Sequence, residues 1–254
     1  MNNFLSDPYF MYMGRKSNEF NMRVLNDVEF ALPEAVYNFQ GVDGRSSDII
    51  FDLNKFEDIE KKFPMRVFRK ANTNLPTQLR NIATWLHSSK QYSSLVFSEY
   101  PDYYYKAIYH TGVNAPDKYK DSLVIDITFK CQPFMFRLDG EDVREIETGV
   151  ALTNPEEFPS LPLISFNKTT DAADSTIYIN GEQYTIGKEA GKGLITIDSE
   201  TGIAYKEGGV NVSRYCLTNA SGYHPITLQP GRNEISYNNM DQFKIKPRWR
   251  NLAL

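Results

Sequence analysis

Between Gly14 and Asp52 the hydrophobic positions fall into short runs separated by turn residues. Met22, Val24, Leu25, Val28 and Phe30 make the first run, Val36, Tyr37 and Phe39 the second, and Ile49, Ile50 and Phe51 the third. Leu32-Pro33-Glu34 and the Gly41–Gly44 turn lie between them. This run-turn-run pattern predicts antiparallel strands joined by hairpin connections. The segment carries no acid–base pair, thiol or metal cluster. An early apolar hairpin without chemistry points to a surface meant for another protein, because an uncovered apolar edge invites aggregation.

Farther along, Leu79, Ile82, Ala83 and Leu86 sit at helical spacing and predict an amphipathic helix over 77–87, started by Pro76 and Thr77. Phe56, Ile59 and Phe63 suggest a short helix or an ordered loop over 54–63, ended by Pro64. Strands are predicted over 93–98 and 103–110. The clearest strand has Leu123, Ile125, Ile127, Phe129 and Cys131 alternating with wetter positions, and Pro133 is expected to stop its pairing.

From Leu138 to Glu147 the chain turns acidic and polar, which places a linker at 138–147 between domains 1–137 and 148–254. The second half holds short strands and sharp turns. Thr176–Ile179 meets Gln183–Ile186 through Asn180-Gly181, a two-residue hairpin signal. Leu194–Ile197 meets Ile203–Tyr205 through Asp198–Gly202, and 233–237 and 242–247 complete the pattern. Strands about ten residues apart without helices predict a β-sandwich or jelly roll. The fold class is therefore mainly β, with two domains and one α-helix.

Composition narrows the function. Aromatics reach 13%, which favours strands and interfaces. The net charge of −4 gives nucleic acid nothing to bind globally. No stretch approaches the roughly 20 apolar residues of a membrane span, and the first 14 residues lack the features of a secretory signal. Cys131 and Cys216 are expected as buried free thiols rather than a disulfide.

Candidate chemistry is sparse. His87, His110 and His224 have no partners at metal-ligand spacing. The Gly187–Gly193 stretch is one residue short of a phosphate loop, lacks its Ser/Thr and has no following helix, so it is read as a flexible hairpin loop. Of the paired carboxylates, Glu156/Glu157 are an adjacency that chance supplies, and Asp198/Glu200 are read as turn residues. No enzyme, cofactor or metal site is predicted. The tyrosines 100, 103, 104, 105 and 109 either pack a sheet or anchor a protein interface, with glycan contact a third reading. Lys244, Lys246, Arg248 and Arg250 form a basic stripe, read as a solvated face or a contact with an acidic protein.

Taken in order, FNMRVLNDVEFALPEAVYNFQGVDGR (20–45), LRNIATWLH (79–87), PDYYYKAIYHTG (101–112), FKCQPF (129–134), LITIDSETGIAY (194–205), LQPGRNEI (228–235) and KIKPRWR (244–250) resemble the distal tail protein (Dit) family of long non-contractile-tailed phages of Gram-positive hosts. The nearest likeness is to lactococcal and streptococcal phage baseplate hubs. The resemblance implies an N-terminal β-sandwich with one helix and a protruding belt hairpin, and a C-terminal galectin-like, carbohydrate-binding-module-like β-sandwich. It further implies a homohexameric ring at the distal end of the phage tail, within the virion. That ring joins the major tail protein to the tail-associated lysin and to receptor-binding or adaptor proteins. On this reading Phe30, Leu32, Val36, Tyr37 and Phe39 form the belt's subunit interface, and Tyr103, Tyr105, Arg248, Trp249 and Arg250 a partner surface. Some relatives insert an arm or sugar-binding module in the second domain, for which 148–254 leaves no room. The rival reading is a glycan-binding module that contacts host cell-wall saccharide.

Overall fold

A computed structural model describes residues 8–25, 28–112, 121–219 and 222–254. Contacts divide the chain into two units. One runs to Met135 and is completed by Leu252–Leu254, and the other spans Phe136–Asn251.

The first unit contains β1 (Phe10–Tyr12), β2 (Arg15–Lys16), β3 (Met22–Val24), β4 (Ala35–Gln40), β5 (Ile49–Phe56), β6 (Ile59–Phe68), the helix α1 (Leu75–Leu86), β7 (Ser93–Phe97) and β8 (Tyr103–Tyr109). The long β9 (Ser122–Arg137) leads out of it. Its main sheet has the order β2-β1-β7-β8-β9-β6-β3. Val24 N, on the terminal strand β3, donates to Pro8 O just ahead of β1, so the sheet curls towards its own far end. Alternation builds the core: Phe63, Met65 and Val67 of β6 and Leu123, Ile125, Ile127 and Phe129 of β9 all point inward.

The helix starts at Leu75, two residues before its apolar period requires. Asn74 Oδ1 accepts from Thr77 N at 2.9 Å, and a proline in the first turn removes no intrahelical bond. Trp85 closes the core from the helix. Its ring stacks on Phe20 at 4.4 Å and on Phe10 at 5.7 Å, and its indole N–H donates to Tyr12 O.

Two expectations drawn from proline are corrected. Residues 54–63 form the end of β5, a two-residue connection and the start of β6, not a helix, and β6 runs straight through Pro64. Pro64 O accepts from Leu25 N, just past the last β3–β6 pair. In an antiparallel strand a residue's N–H and C=O point to the same side, so the missing donor lies beyond the end of β3 and the β9 ladder keeps its bonds. Likewise β9 does not stop at Pro133, because a late strand pairs with it and Ala253 N donates to Pro133 O.

The second unit is a sandwich. Its strands are β10 (Arg144–Glu145), β11 (Val150–Asn154), β12 (Leu163–Lys168), β13 (Ser175–Ile179), β14 (Glu182–Ile186), β15 (Gly193–Asp198), β16 (Ile203–Lys206), β17 (Thr218–Asn219), β18 (Gly222–Tyr223), β19 (Gly231–Asn238) and β20 (Met240–Lys246), with β21 (Arg250–Leu252) leading back. One sheet has the order β10-β20-β12-β15-β16 and the other β11-β19-β13-β14, while β17 and β18 form a separate pair. Ile164, Phe166, Ile195, Ile197, Phe243 and Ile245 of the first sheet share one core with Ile177, Ile179, Ile186 and Ile235 of the second. The Asn180-Gly181 hairpin forms as predicted, with both residues at positive φ, 53° and 83°. Residues 138–147, expected as a linker, are instead woven into this unit. Leu138–Glu141 is a 3-10 turn, β10 pairs with β20, and Ile146 is buried in the core. The fold class read from the sequence stands: mainly β, with one α-helix among the described residues and two units.

Candidate assembly surfaces

Strands β4 and β5 pair only with each other among the described residues. Their register sets Phe39 opposite Ile50 and Tyr37 opposite Asp52 on one face, and Asn38 opposite Phe51 and Gln40 opposite Ile49 on the other. A bulge at Val36 shifts the register near the root, and Val36 itself is half-buried. Apolar groups stand in water on both faces: Phe39 is 59% exposed, Ile50 62% and Phe51 46%. Phe30 and Leu32, on the extended approach to β4, are 65% and 68% exposed. A two-stranded ribbon is marginal in water, so nothing within the ribbon offsets the cost of these exposed groups.

Four of the five belt residues predicted from the sequence are therefore exposed, and they extend over Phe30–Phe39. The returning strand adds exposed Ile50 and Phe51, which belong to the third predicted run but not to the predicted interface set, and Leu53, which follows that run. The signal for Ile50 and Phe51 was the apolar run Ile49–Phe51, which follows the Gly41–Gly44 turn after the polar stretch 45–48.

The other predicted surface is mostly interior. Tyr105 is 1% exposed, and its hydroxyl donates to Leu254 O at 2.8 Å. Burial pushes its phenol above the ordinary value. Tyr103 packs partly against the same core. Trp249 is 1% exposed at the heart of the sandwich. Arg248 does not face solvent either: its guanidinium meets both Asp198 carboxylate oxygens and Glu200, with Nη1 2.6 Å from Asp198 Oδ1. Arg250 Nε donates to Pro159 O, and its guanidinium lies over the Phe158 ring. Arg248 and Arg250 are thus internal braces, while Lys244 of the same stripe is exposed and Lys246 pairs with Glu141. The Arg248 brace explains Asp198 and Glu200 as well. Asp198 Oδ1 accepts from Glu200 N and Thr201 N to build its turn, and the same carboxylate holds Arg248.

Cys131 and Cys216 are free and buried, and burial pushes both thiols up to about 12. Lys206 Nζ donates to Ala190 O and Lys192 O, so the glycine loop before β15 is held in place. Among the described residues no group of three or more His, Cys, Asp and Glu is placed to hold a metal ion. No described helix is long and apolar enough to cross a membrane.

A curled sheet with a helix and a hairpin, followed by a two-sheet sandwich, makes this a two-unit β protein. No family model and no curated protein matches the chain. Among solved structures it is similar to the Dit protein (gp 19.1) of phage SPP1, described as a paradigm of the hub adsorption apparatus in phages infecting Gram-positive hosts. The TM-score is 0.70 at 15% identity, over 94% of this chain and 96% of that one. A chain of the phage p2 baseplate in its activated conformation with Sr has a TM-score of 0.50 at 10% identity, over 97% and 98%. The fold expected from the resemblance is the fold found.

Proposed function

We propose that this protein is a non-enzymatic structural hub at the distal end of a phage tail. Copies close into a hexameric ring between the tail tube's major tail protein and the tail-associated lysin, and the ring carries receptor-binding or adaptor proteins outward for host attachment. The observation that carries this reading is the β4–β5 hairpin, which leaves Tyr37, Phe39, Ile50 and Phe51 exposed among the described residues. A second copy is the natural cover, since head-to-tail contacts between unlike surfaces close rings. The likeness in fold to the SPP1 Dit protein supports it.

Light scattering on the purified chain tests the ring. Six copies of a 29.2 kDa chain weigh about 175 kDa. Changing Phe39→Asp and Ile50→Asp together removes two apolar contacts of about 2 kcal/mol each, which weakens each interface roughly 10³-fold. The double variant should be a folded monomer, with β-type circular dichroism retained and a thermal midpoint that no longer depends on protein concentration. Rings that survive it, or a native chain that stays monomeric and binds cell-wall saccharide saturably, overturn the reading.

A further inference from the structure

Lys61 occupies an inward position of β6, in the period that also points Ile59, Phe63, Met65 and Val67 at the core, and it is 1% exposed. A methionine would fill this slot without the cost of taking an ammonium out of water. What the lysine adds is reach to two separate segments. Its Nζ donates to Glu29 O at 3.0 Å and to Leu254 O at 2.8 Å. The Phe30 and Tyr105 rings flank the charge at 5.5 and 6.0 Å. Burial lowers the amine's proton affinity, yet these acceptors and ring faces are what an ammonium needs. Glu29 and Phe30 form the root of the exposed hairpin. Leu254 belongs to the segment that returns from the second unit, where Ala253 is fully buried and donates to Pro133 O. Tyr105 Oη shares the same Leu254 oxygen.

We propose that the Lys61 ammonium is a latch coupling the returning segment 252–254 to the root of the β4–β5 hairpin, so that the hairpin's direction of exit is set by whether both oxygens are held. Lys61 is thereby a positioning residue for whatever the hairpin meets, and a displacement of 252–254 would be felt at the hairpin. The inference is independent of ring formation.

Spin labels at Asp43→Cys on the hairpin tip and Lys90→Cys on an exposed turn report the hairpin's direction. The buried native thiols stay unlabelled. The full chain is used in the Phe39→Asp, Ile50→Asp background, so self-assembly does not enter the measurement. The parent should give one narrow distance distribution, and Lys61→Met should broaden it about twofold with little change in thermal midpoint. Tyr105→Phe, which removes only a hydroxyl from Leu254, should broaden it in the same sense. A distribution that is already broad in the parent, or one that stays narrow in the Lys61→Met chain, overturns the latch. Broadening by Lys61→Met but not by Tyr105→Phe would show two independent tethers and overturn the coupling.

Discussion

At the scale of single residues, the second unit contains an ion cluster, Arg248 with Asp198 and Glu200, whose members are far apart in sequence. Burial acts to raise the Asp198 carboxyl, but hydrogen bonds and charge from Arg248 outweigh it and hold the group below its ordinary value. A carboxyl depressed on folding stabilises the fold above its unfolded value, near 3.8, and that contribution is lost as pH falls through the lower folded value. Asp198→Asn should therefore cost about 2 kcal/mol at pH 7 and less below pH 3, read from denaturant midpoints across pH. The thiols make a complementary prediction. With both raised to about 12, neither Cys131 nor Cys216 should react with iodoacetamide at pH 8 in the native chain, and both should react once it is unfolded. Fast native labelling of either would show that the thiol is open to solvent.

Elements show where local code was sufficient. Asn74, Pro76 and the apolar spacing of 79–86 specify a helix whose Trp85 plugs the curled sheet. Trp85→Ala should destabilise the first unit by about 3–5 kcal/mol, measured by chemical denaturation, because it opens a cavity between Phe10 and Phe20. The Asn180-Gly181 turn is equally local. Gly181 stands at φ 83°, so Gly181→Val should cost about 1–2 kcal/mol from backbone strain alone. Prolines 64 and 133 carry no such local instruction, since each is harmless or disruptive according to which neighbour stands on its N–H side.

For the whole molecule, the stretch 138–147 separates two pictures of the chain. Its polar composition suggests a cleavable linker, yet Arg137 is held by Asp139 and Trp249 O, and Arg144 sits in a strand against β20. The hairpin tip, by contrast, presents Arg45 in an exposed turn. Mild trypsin should cut after Arg45 well before Arg137 or Arg144, as mass spectrometry of the fragments would show. Early cleavage at 137 or 144 would restore the linker.

What the sequence by itself determined is local: the alternating strands, one capped helix, the Asn-Gly hairpin, the isolated thiols and an apolar ribbon near the start. These follow from backbone period and turn chemistry, which act over a few residues. The tertiary structure alone decided which side of each strand is covered. Tyr105 and Trp249 have the composition of a binding surface and lie in cores, while Ile50 and Phe51 have the composition of a core and lie in water. Arg248 was legible as a charge but not as the partner of a turn 50 residues earlier. Lys61 interrupts an apolar spacing that suits a helix as well as a strand, and its two oxygens lie 32 and 193 residues away. Alternation says that a strand has two faces; only contacts between distant segments choose which of them meets the rest of the chain, and which is left for another molecule.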